Sequence, residues 1–174
     1  MVKFEYKNSV NAYKTFMLYT TFVRNRKMLL PIVFGAIGVI SLILGCIGYL
    51  AFLVIALGAV IIGAVYSLFT YYIVIRTVNK QLSKSKNFEK IKNAYLFSTD
   101  DFTVTTFENK KETVNTLGYD KLVLVVQNKN FYYLYVNRNI AFILDSNSVV
   151  DGSEEDFKKI IIGATDKKRC KIKV

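Results

Sequence analysis

The strongest pattern along the chain is one uninterrupted apolar run. Between residues 28 and 75, 48 consecutive positions carry no Asp, Glu, Lys, Arg, Asn or Gln. As a single helix this run would extend about 72 Å, whereas about 20 helical residues cross the hydrocarbon core of a bilayer. We therefore predict a transmembrane α-helical hairpin over residues 28–75, with helices at 28–47 and 49–75 and a turn near Gly45 and Gly48.

Small residues recur at helical spacing in both predicted helices. Small side chains let helix backbones approach closely in lipid, where burying apolar surface gives no driving force. The spacing fits contact inside the hairpin and equally fits contact between two copies in a homo-oligomer. The predicted helix-packing residues are Gly38, Ser41 and Gly45 in the first helix and Ala59, Gly63 and Ser67 in the second.

Basic residues flank the apolar run on both sides, and its central turn carries no charge. Because cytoplasmic flanks of membrane helices collect Lys and Arg, we predict a multi-pass cell-membrane protein with both termini in the cytoplasm. Basic residues beside a span are also attracted to anionic lipid. The residues predicted to contact the membrane surface are Arg24, Arg26, Lys27, Arg76, Lys80, Lys84 and Lys86.

The segments on either side of the hairpin, residues 1–27 and 76–93, are predicted to form separate structural elements. In residues 1–27, Phe4 and Tyr6 alternate with charged residues, which predicts a half-exposed strand. An amphipathic helix follows to about residue 26, and two positions fit it equally: on the lipid headgroups, or against the cytoplasmic domain. The basic and polar residues 76–93 are predicted to form a juxtamembrane connector.

From residue 94 onwards the hydrophobic pattern changes to the period of two that is typical of strands. Strands are predicted at residues 95–98, 102–107, 112–116, 121–127, 131–136 and 140–144, with a tight turn at 137–139. Ser153 is a good N-cap for a helix with the apolar stripe Phe157, Ile160, Ile161 and Ala164. We predict an α+β cytoplasmic domain over residues 94–165, an antiparallel sheet closed by a C-terminal helix, followed by a loose basic tail at 166–174.

The distribution of charge narrows the classes of partner. The chain carries a formal net charge of +11, yet residues 94–165 hold more acidic than basic side chains. A nucleic-acid-binding protein places basic charge on its folded domain, so this pattern favours the lipid bilayer as partner and argues against nucleic acid. The chain has no His, and its two cysteines lie far apart in the sequence. We therefore predict no catalytic residue, no cofactor and no metal site.

Three stretches together resemble the YcxB-like family of small bacterial membrane proteins. They are the N-terminal KFEYKNSVNAYKTFMLYTTF, the two adjacent apolar spans, and YDKLVLVVQNKNFYYLYVNRNIAFIL followed by an acidic-capped helix. The resemblance implies a pleckstrin-homology-like C-terminal domain on the cytoplasmic side and implies no catalytic residue. The chain departs from the family pattern at residues 145–147, where Asp-Ser-Asn replaces a proline and a basic residue.

These observations lead to a hypothesis of function. We expect a non-enzymatic, membrane-anchored interaction or sensing protein whose cytoplasmic domain binds a protein, peptide or lipid headgroup. The alternative is an oligomeric membrane-active protein, such as a small pore, built from the glycine-rich helices. A membrane-tethered enzyme is the third hypothesis. The candidate partner surface is the aromatic strand with Phe131, Tyr132, Tyr133 and Tyr135, if part of that strand is exposed.

Overall fold

The computed structural model describes residues 1–85, 87–108, 111–166 and 168–172. The chain divides into two compact units. Residues 17–84 form one of them, here called the helix unit, and residues 1–16 join the described residues from 85 onwards in the other, here called the sheet unit. The division differs from the predicted domains, because the N-terminal segment belongs to the same unit as the C-terminal half.

The helix unit contains two long apolar helices, as predicted. Helix α2 spans Leu29–Cys46 and α3 spans Ala51–Lys84, and each is long and apolar enough to cross a membrane. Gly48 lies in the turn between them with a φ of +117°, a conformation that favours glycine. Helix α3 continues past residue 75 to Lys84, so the first half of the predicted connector is α-helical. Ahead of α2, helix α1 (Val10–Tyr19) leads into a short π-helix at Thr20–Arg24.

The two apolar helices pack through their small residues. Gly38, Ser41 and Gly45 are the buried residues of α2, and Ala59 and Gly63 are buried in α3. A Cβ on Gly38 would lie 3.3 Å from Val60 Cγ2, so a larger residue there would push the helices apart. The Ser67 hydroxyl donates to the carbonyl of Gly63 within α3. Five of the six predicted packing residues thus lie buried in the hairpin, and Ser67 is half-buried.

The sheet unit is built from nine strands in two sheets. The five-stranded sheet has the order β4-β3-β2-β1-β8, and the four-stranded sheet has the order β7-β6-β5-β9. The strands are β1 Val2–Lys7, β2 Lys92–Phe97, β3 Asp101–Glu108, β4 Lys111–Gly118, β5 Leu124–Asn128, β6 Phe131–Tyr135, β7 Ala141–Asp145, β8 Val149–Asp151 and β9 Cys170–Lys171. All six predicted strands overlap β2 to β7.

Strand β1 corrects the prediction of a separate N-terminal segment. It lies inside the five-stranded sheet, paired with β2 along its whole length and with β8 on its other side. Its alternation of apolar and charged residues is the one predicted, with Val2, Phe4 and Tyr6 buried. What the alternation could not show is which strand β1 pairs with.

The tail also differs from the prediction. Residues Cys170–Lys171 form β9, which pairs in parallel with β5. The four-stranded sheet is therefore mixed, and the tail is not loose over these residues. Strand β8 was not predicted, because a strand of three residues is too short to show a period.

Helix α4 (Glu154–Ala164) closes the core between the sheets. Ser153 is the N-cap, since its hydroxyl accepts from the Asp156 amide at 3.1 Å, as predicted. The Phe157 ring is fully buried and meets Phe4 of the first sheet at 4.9 Å and Tyr132 of the second at 5.0 Å between ring centroids. Edge-to-face ring pairs of this kind add to the free energy gained by burying the rings.

Helix α1 packs on the other side of the four-stranded sheet. The Phe16 ring lies 5.3 Å from Tyr133 and 5.7 Å from Tyr135, and the Tyr13 ring lies 5.5 Å from Phe88. Of the two positions predicted for this amphipathic helix, the contacts of Tyr13 and Phe16 correspond to packing on the domain.

Candidate functional site

The five-stranded sheet has one side in the core and one side in solvent. Directly paired residues lie on the same side of a sheet, so the register defines the exposed side. We call it the outer face. It consists of three cross-strand rows, each running from β1 to β4: Lys3, Leu96, Thr103 and Thr116; Glu5, Ala94, Thr105 and Val114; and Lys7, Lys92, Phe107 and Glu112.

Three apolar side chains lie exposed on the outer face. Leu96 is 38%, Phe107 42% and Val114 56% exposed. They lie on the neighbouring strands β2, β3 and β4 among threonines and lysines, and exposed apolar side chains on one sheet face can contribute to a contact site. The outer face is therefore the part of the sheet unit best suited to bind another molecule.

A groove of about 450 Å³ opens at the β1–β2 end of the outer face. Three lysines and one glutamate line it together with the Phe107 ring: Lys3, Lys7, Lys92 and Glu5. Lys3 Nζ lies 2.7 Å from Glu5 Oε1, and this hydrogen bond, with the charge of Lys3, lowers the pKa of the Glu5 carboxyl. The groove therefore keeps two lysine charges that its single carboxylate does not neutralise.

A short polar network holds the strands that carry this groove. Asn93 Nδ2 donates to Asn8 Oδ1 at 3.0 Å, and Thr106 Oγ1 donates to Asn93 Oδ1 at 2.9 Å. These bonds link β2 to the end of β1 and to β3. Satisfied side-chain networks of this kind rigidify the strands that they connect, here the strands that carry Lys7 and Lys92.

Strand β4 is one of the two edges of the five-stranded sheet, and its residues from Lys111 to Thr116 are exposed on both sides. An edge strand leaves every second backbone N–H and C=O without a partner strand, which makes it able to pair with another chain. With Val114 on the outer face beside this edge, backbone pairing and an apolar contact are available together.

The predicted aromatic partner surface is wrong for three of its four residues. Tyr132, Tyr133 and Tyr135 are fully buried, and only Phe131 is half-buried. The reason is that β6 is covered on both sides. Tyr132 faces the core with Phe157, whereas Tyr133 and Tyr135 are covered by Phe16 of α1. The sequence pattern could not reveal this second covering layer.

A buried tyrosine and a carboxylate form the most perturbed polar pair of the sheet unit. The Tyr132 hydroxyl donates to Glu154 Oε1, and Lys158 Nζ lies 3.1 Å from the same oxygen. The hydrogen bond from Tyr132 and the charge of Lys158 lower the pKa of Glu154. Burial, with a further contribution from Glu154, raises the pKa of Tyr132. The pair joins β6 to α4.

Six of the seven predicted membrane-surface residues lie in the helix unit. Arg76, Lys80 and Lys84 follow one another at intervals of four on the exposed side of α3. Arg26 and Lys27 are exposed in the segment before α2, and Arg24 ends the π-helix. Lys86 lies outside the described residues. Among the described residues, no group of three His, Cys, Asp or Glu side chains could hold a metal ion.

The outer face was missed by the prediction of site residues. The alternation in residues 2–7 correctly indicated that Glu5 and Lys7 are exposed and that Lys3 lies on the same side, where it is half-buried, but nothing in the sequence placed Lys92 opposite Lys7. These residues are separated by more than 80 positions, and only strand pairing brings them together.

Comparison with known proteins found a family match within the sheet unit. The family model described as YcxB-like protein matches residues 97–161. The matched segment runs from the end of β2 into α4 and lies after both apolar helices. It confirms the resemblance for this segment and does not extend to the helices. No curated protein and no solved structure matches the chain.

Proposed function

We propose that this chain is a non-enzymatic, membrane-anchored interaction protein. Helices α2 and α3 cross the cell membrane as a hairpin with both termini in the cytoplasm, and the sheet unit binds a cytoplasmic protein or peptide there. The observation that carries the proposal is the outer face, a solvent-exposed sheet surface with exposed apolar side chains and an open edge strand.

The membrane part of the proposal is supported by the side chains that the hairpin exposes. Leu and Ile residues along α2 and α3 are exposed by half or more, among them Ile40, Leu57 and Leu68. Apolar surface of this extent is unfavourable in water and favourable in lipid. The C-terminal part of α3 carries the basic residues Arg76, Lys80 and Lys84, as expected of a cytoplasmic flank.

The interaction part is supported by strand β4. Peptides bind to exposed sheet edges by adding a strand, with backbone hydrogen bonds giving affinity and alternate side chains giving specificity. The edge offers Val114 and Thr116 toward the outer face. A partner peptide that pairs with β4 would place its own apolar residues over Val114.

We further propose that the sheet unit is related in architecture to pleckstrin-homology domains. Support comes from its two sheets of mostly antiparallel strands and the single C-terminal helix α4, whose Phe157 inserts between them. An experimental structure of the full-length protein, compared with that domain class, tests this part.

We do not propose a pore. The small residues that would form helix–helix contacts between copies already lie buried between α2 and α3, with Gly38 close to Val60 and Gly63 close to Phe34. A homo-oligomer formed through another surface stays an open prediction.

Membrane topology is tested by labelling cysteines in intact cells. Cys46→Ala and Cys170→Ala remove both native thiols, and Tyr49→Cys or Lys129→Cys then places one thiol in the hairpin turn or on the sheet unit. A membrane-impermeant maleimide should label the Tyr49→Cys variant in intact cells and the Lys129→Cys variant only after permeabilisation. The reverse result would overturn the proposed topology.

The interaction surface is tested by photocrosslinking in the same cells. A photoreactive amino acid replaces Val114 on β4 or, as a matched control, Val123, which is 50% exposed before β5. We expect a discrete crosslinked product from Val114 and none from Val123. If the two positions give the same products, or neither gives one, β4 is not the binding edge.

A further inference from the structure

We propose that the groove at the β1–β2 end of the outer face binds the phosphate group of an anionic lipid. Lys7 and Lys92 supply the charge, and Lys3 completes the rim. The site is separate from the β4 edge proposed for a protein partner. Its lipid source rests on the proposed membrane topology, whereas its selectivity for phosphate does not.

The first argument is the pairing of like charges. Lys7 and Lys92 are directly opposite residues of β1 and β2, and both are exposed. Like charges in this position destabilise a sheet. Within the described part of the chain, no carboxylate lies within ion-pair distance of either ammonium group. An anion bound between the two would remove the repulsion.

The second argument is the chemistry of the lining. Three ammonium groups face one carboxylate, and Glu5 is already paired with Lys3. Lys92 acts on Glu5 only as a weaker, more distant charge that lowers the pKa of Glu5 further. A lysine is a compact charge with three donors and suits a phosphate group, which accepts several hydrogen bonds at once.

The third argument concerns the apolar part of the ligand. Ala94 and Phe107 line the groove beside the lysines, and Phe107 is 42% exposed. A free phosphate ion would leave this ring in water, whereas a lipid headgroup brings glycerol and the start of its acyl chains to cover it. The volume of about 450 Å³ lies within the range of small-molecule sites.

Short stretches of chain connect the strands of the groove to the helices. Lys7 precedes α1 by three residues, and Lys92 follows the end of α3 by eight. A chain of eight residues extends at most about 28 Å. If α3 crosses a bilayer, its anionic headgroups are therefore within reach of the lysine pair.

Lysine reactivity in nanodiscs tests the proposal on the full-length protein. The protein is placed in phosphatidylcholine nanodiscs with or without phosphatidic acid, acetylated briefly with an activated ester, and analysed by peptide mass spectrometry. We expect phosphatidic acid to slow acetylation of Lys7 and Lys92 about tenfold, as a saturating ligand does at a contacted amine. Lys129 and Lys168, exposed elsewhere on the sheet unit, are the internal controls and should change little.

Two further arms separate the sources of the anion. Protection by inorganic phosphate in phosphatidylcholine nanodiscs, without protection by phosphatidic acid, would keep the phosphate site and overturn its lipid source. Protection by a poly-glutamate peptide alone would overturn the phosphate assignment in favour of an acidic protein. Equal protection of all four lysines, or of none, would overturn the site altogether. None of these results depends on the β4 edge, so the proposed protein interaction stands or falls separately.

Variants at Lys92 distinguish binding from folding. Lys92→Glu replaces a like-charge pair by an opposite-charge pair, so we expect Lys7 to lose its protection while the thermal midpoint in phosphatidylcholine stays the same or rises. Lys92→Arg keeps the charge and should keep the protection. Loss of protection in Lys92→Arg, or full protection in Lys92→Glu, would contradict the proposal.

Discussion

The two units of this protein are packed in opposite ways. Between α2 and α3 the buried residues are small: Gly38, Ser41, Gly45, Ala59 and Gly63. In the sheet unit the buried residues are large rings, with the fully buried side chains led by Tyr132, Tyr133, Tyr135, Phe4, Phe97, Phe102 and Phe157. One unit gains stability from the close approach of backbones and the other from the area of the rings it removes from solvent.

The difference follows from the solvent that each unit meets in the proposed function. In water, burying a large ring is the main favourable term, so a small domain gains most from aromatic residues. In lipid the surroundings are as apolar as the side chains, and helices associate through close backbone packing. The large side chains of α2 and α3 accordingly point outward, where Leu57 is 65% exposed.

The largest expected effect comes from removing a ring at the centre of the sheet unit. Phe157→Ala deletes contacts with Phe4, Phe97 and Tyr132 and should destabilise the sheet unit by about 3–5 kcal/mol. Pulse proteolysis in urea, with the fragments of each unit identified by mass spectrometry, measures this. Phe107→Ala removes the same ring from the outer face and is the control, expected to cost less than about 1 kcal/mol. Equal losses would show that the outer face is not a solvent-exposed surface.

The second effect tests packing by small residues. A Cβ at Gly63 would lie 3.3 Å from Phe34 Cβ, whereas at Gly58 nothing lies within 4 Å. We expect Gly63→Leu to destabilise the hairpin by about 1–3 kcal/mol through overpacking and Gly58→Leu to leave it unchanged. Two measurements test this: the thermal midpoint of unfolding of the full-length protein in detergent, and the rate at which a protease cleaves within α2. If Gly58→Leu is equally harmful, the difference between the two faces of α3 is not one of packing.

The smallest effect is a pH dependence that should be confined to the sheet unit, because residues 28–75 contain no Asp, Glu, Lys or Arg. The hydrogen bond from Tyr132 lowers the pKa of Glu154 below its ordinary value of 4.5. The folded state then binds fewer protons, so this stabilisation is present above pH 4.5 and is lost as the pH falls through the lower folded-state pKa. The Glu154 side chain is 37% exposed, so solvent screening limits the effect to less than about 1 kcal/mol.

Glu154→Gln provides the check on that pH dependence. This variant should lose stability at neutral pH and show a flatter fall below pH 4.5 than the native protein. The measurement is pulse proteolysis of the sheet unit at both pH values. If the stability of the native protein and of the variant falls equally at acid pH, the pH dependence comes from other carboxylates.

Elements that depend on local pattern were predictable from the sequence. The apolar run gave both helices of the hairpin, and the small residues at Gly38, Gly45 and Gly63 gave their contact face. The period of two gave six strands, and Ser153 gave the start of α4. In each case the signal lies within a few residues of the chain, because helix and strand periods are local properties.

The candidate site depended on contacts that are distant in the sequence. The aromatic residues of strand β6 predict a contact surface if part of the strand is exposed, but a strand covered on both sides shows the same continuous hydrophobic sequence. Only the packing of Phe16 and Phe157 on its opposite sides distinguishes the two cases. The outer face also depends on contacts that are distant in the sequence, since its rows combine β1 with strands that begin at Lys92.

The sequence by itself therefore determined the local structure of the chain. It showed which residues form the long apolar helices, which segments alternate as strands do, and where basic residues flank the apolar run. Tertiary structure alone decided that β1 joins the C-terminal strands, that residues Cys170–Lys171 add a strand to β5, and that Lys7 lies opposite Lys92. The physical reason is that secondary structure follows from interactions between near neighbours, whereas strand order follows from the burial of whole faces. A single strand pattern fits many partners, and the free energy of the complete core selects one of them.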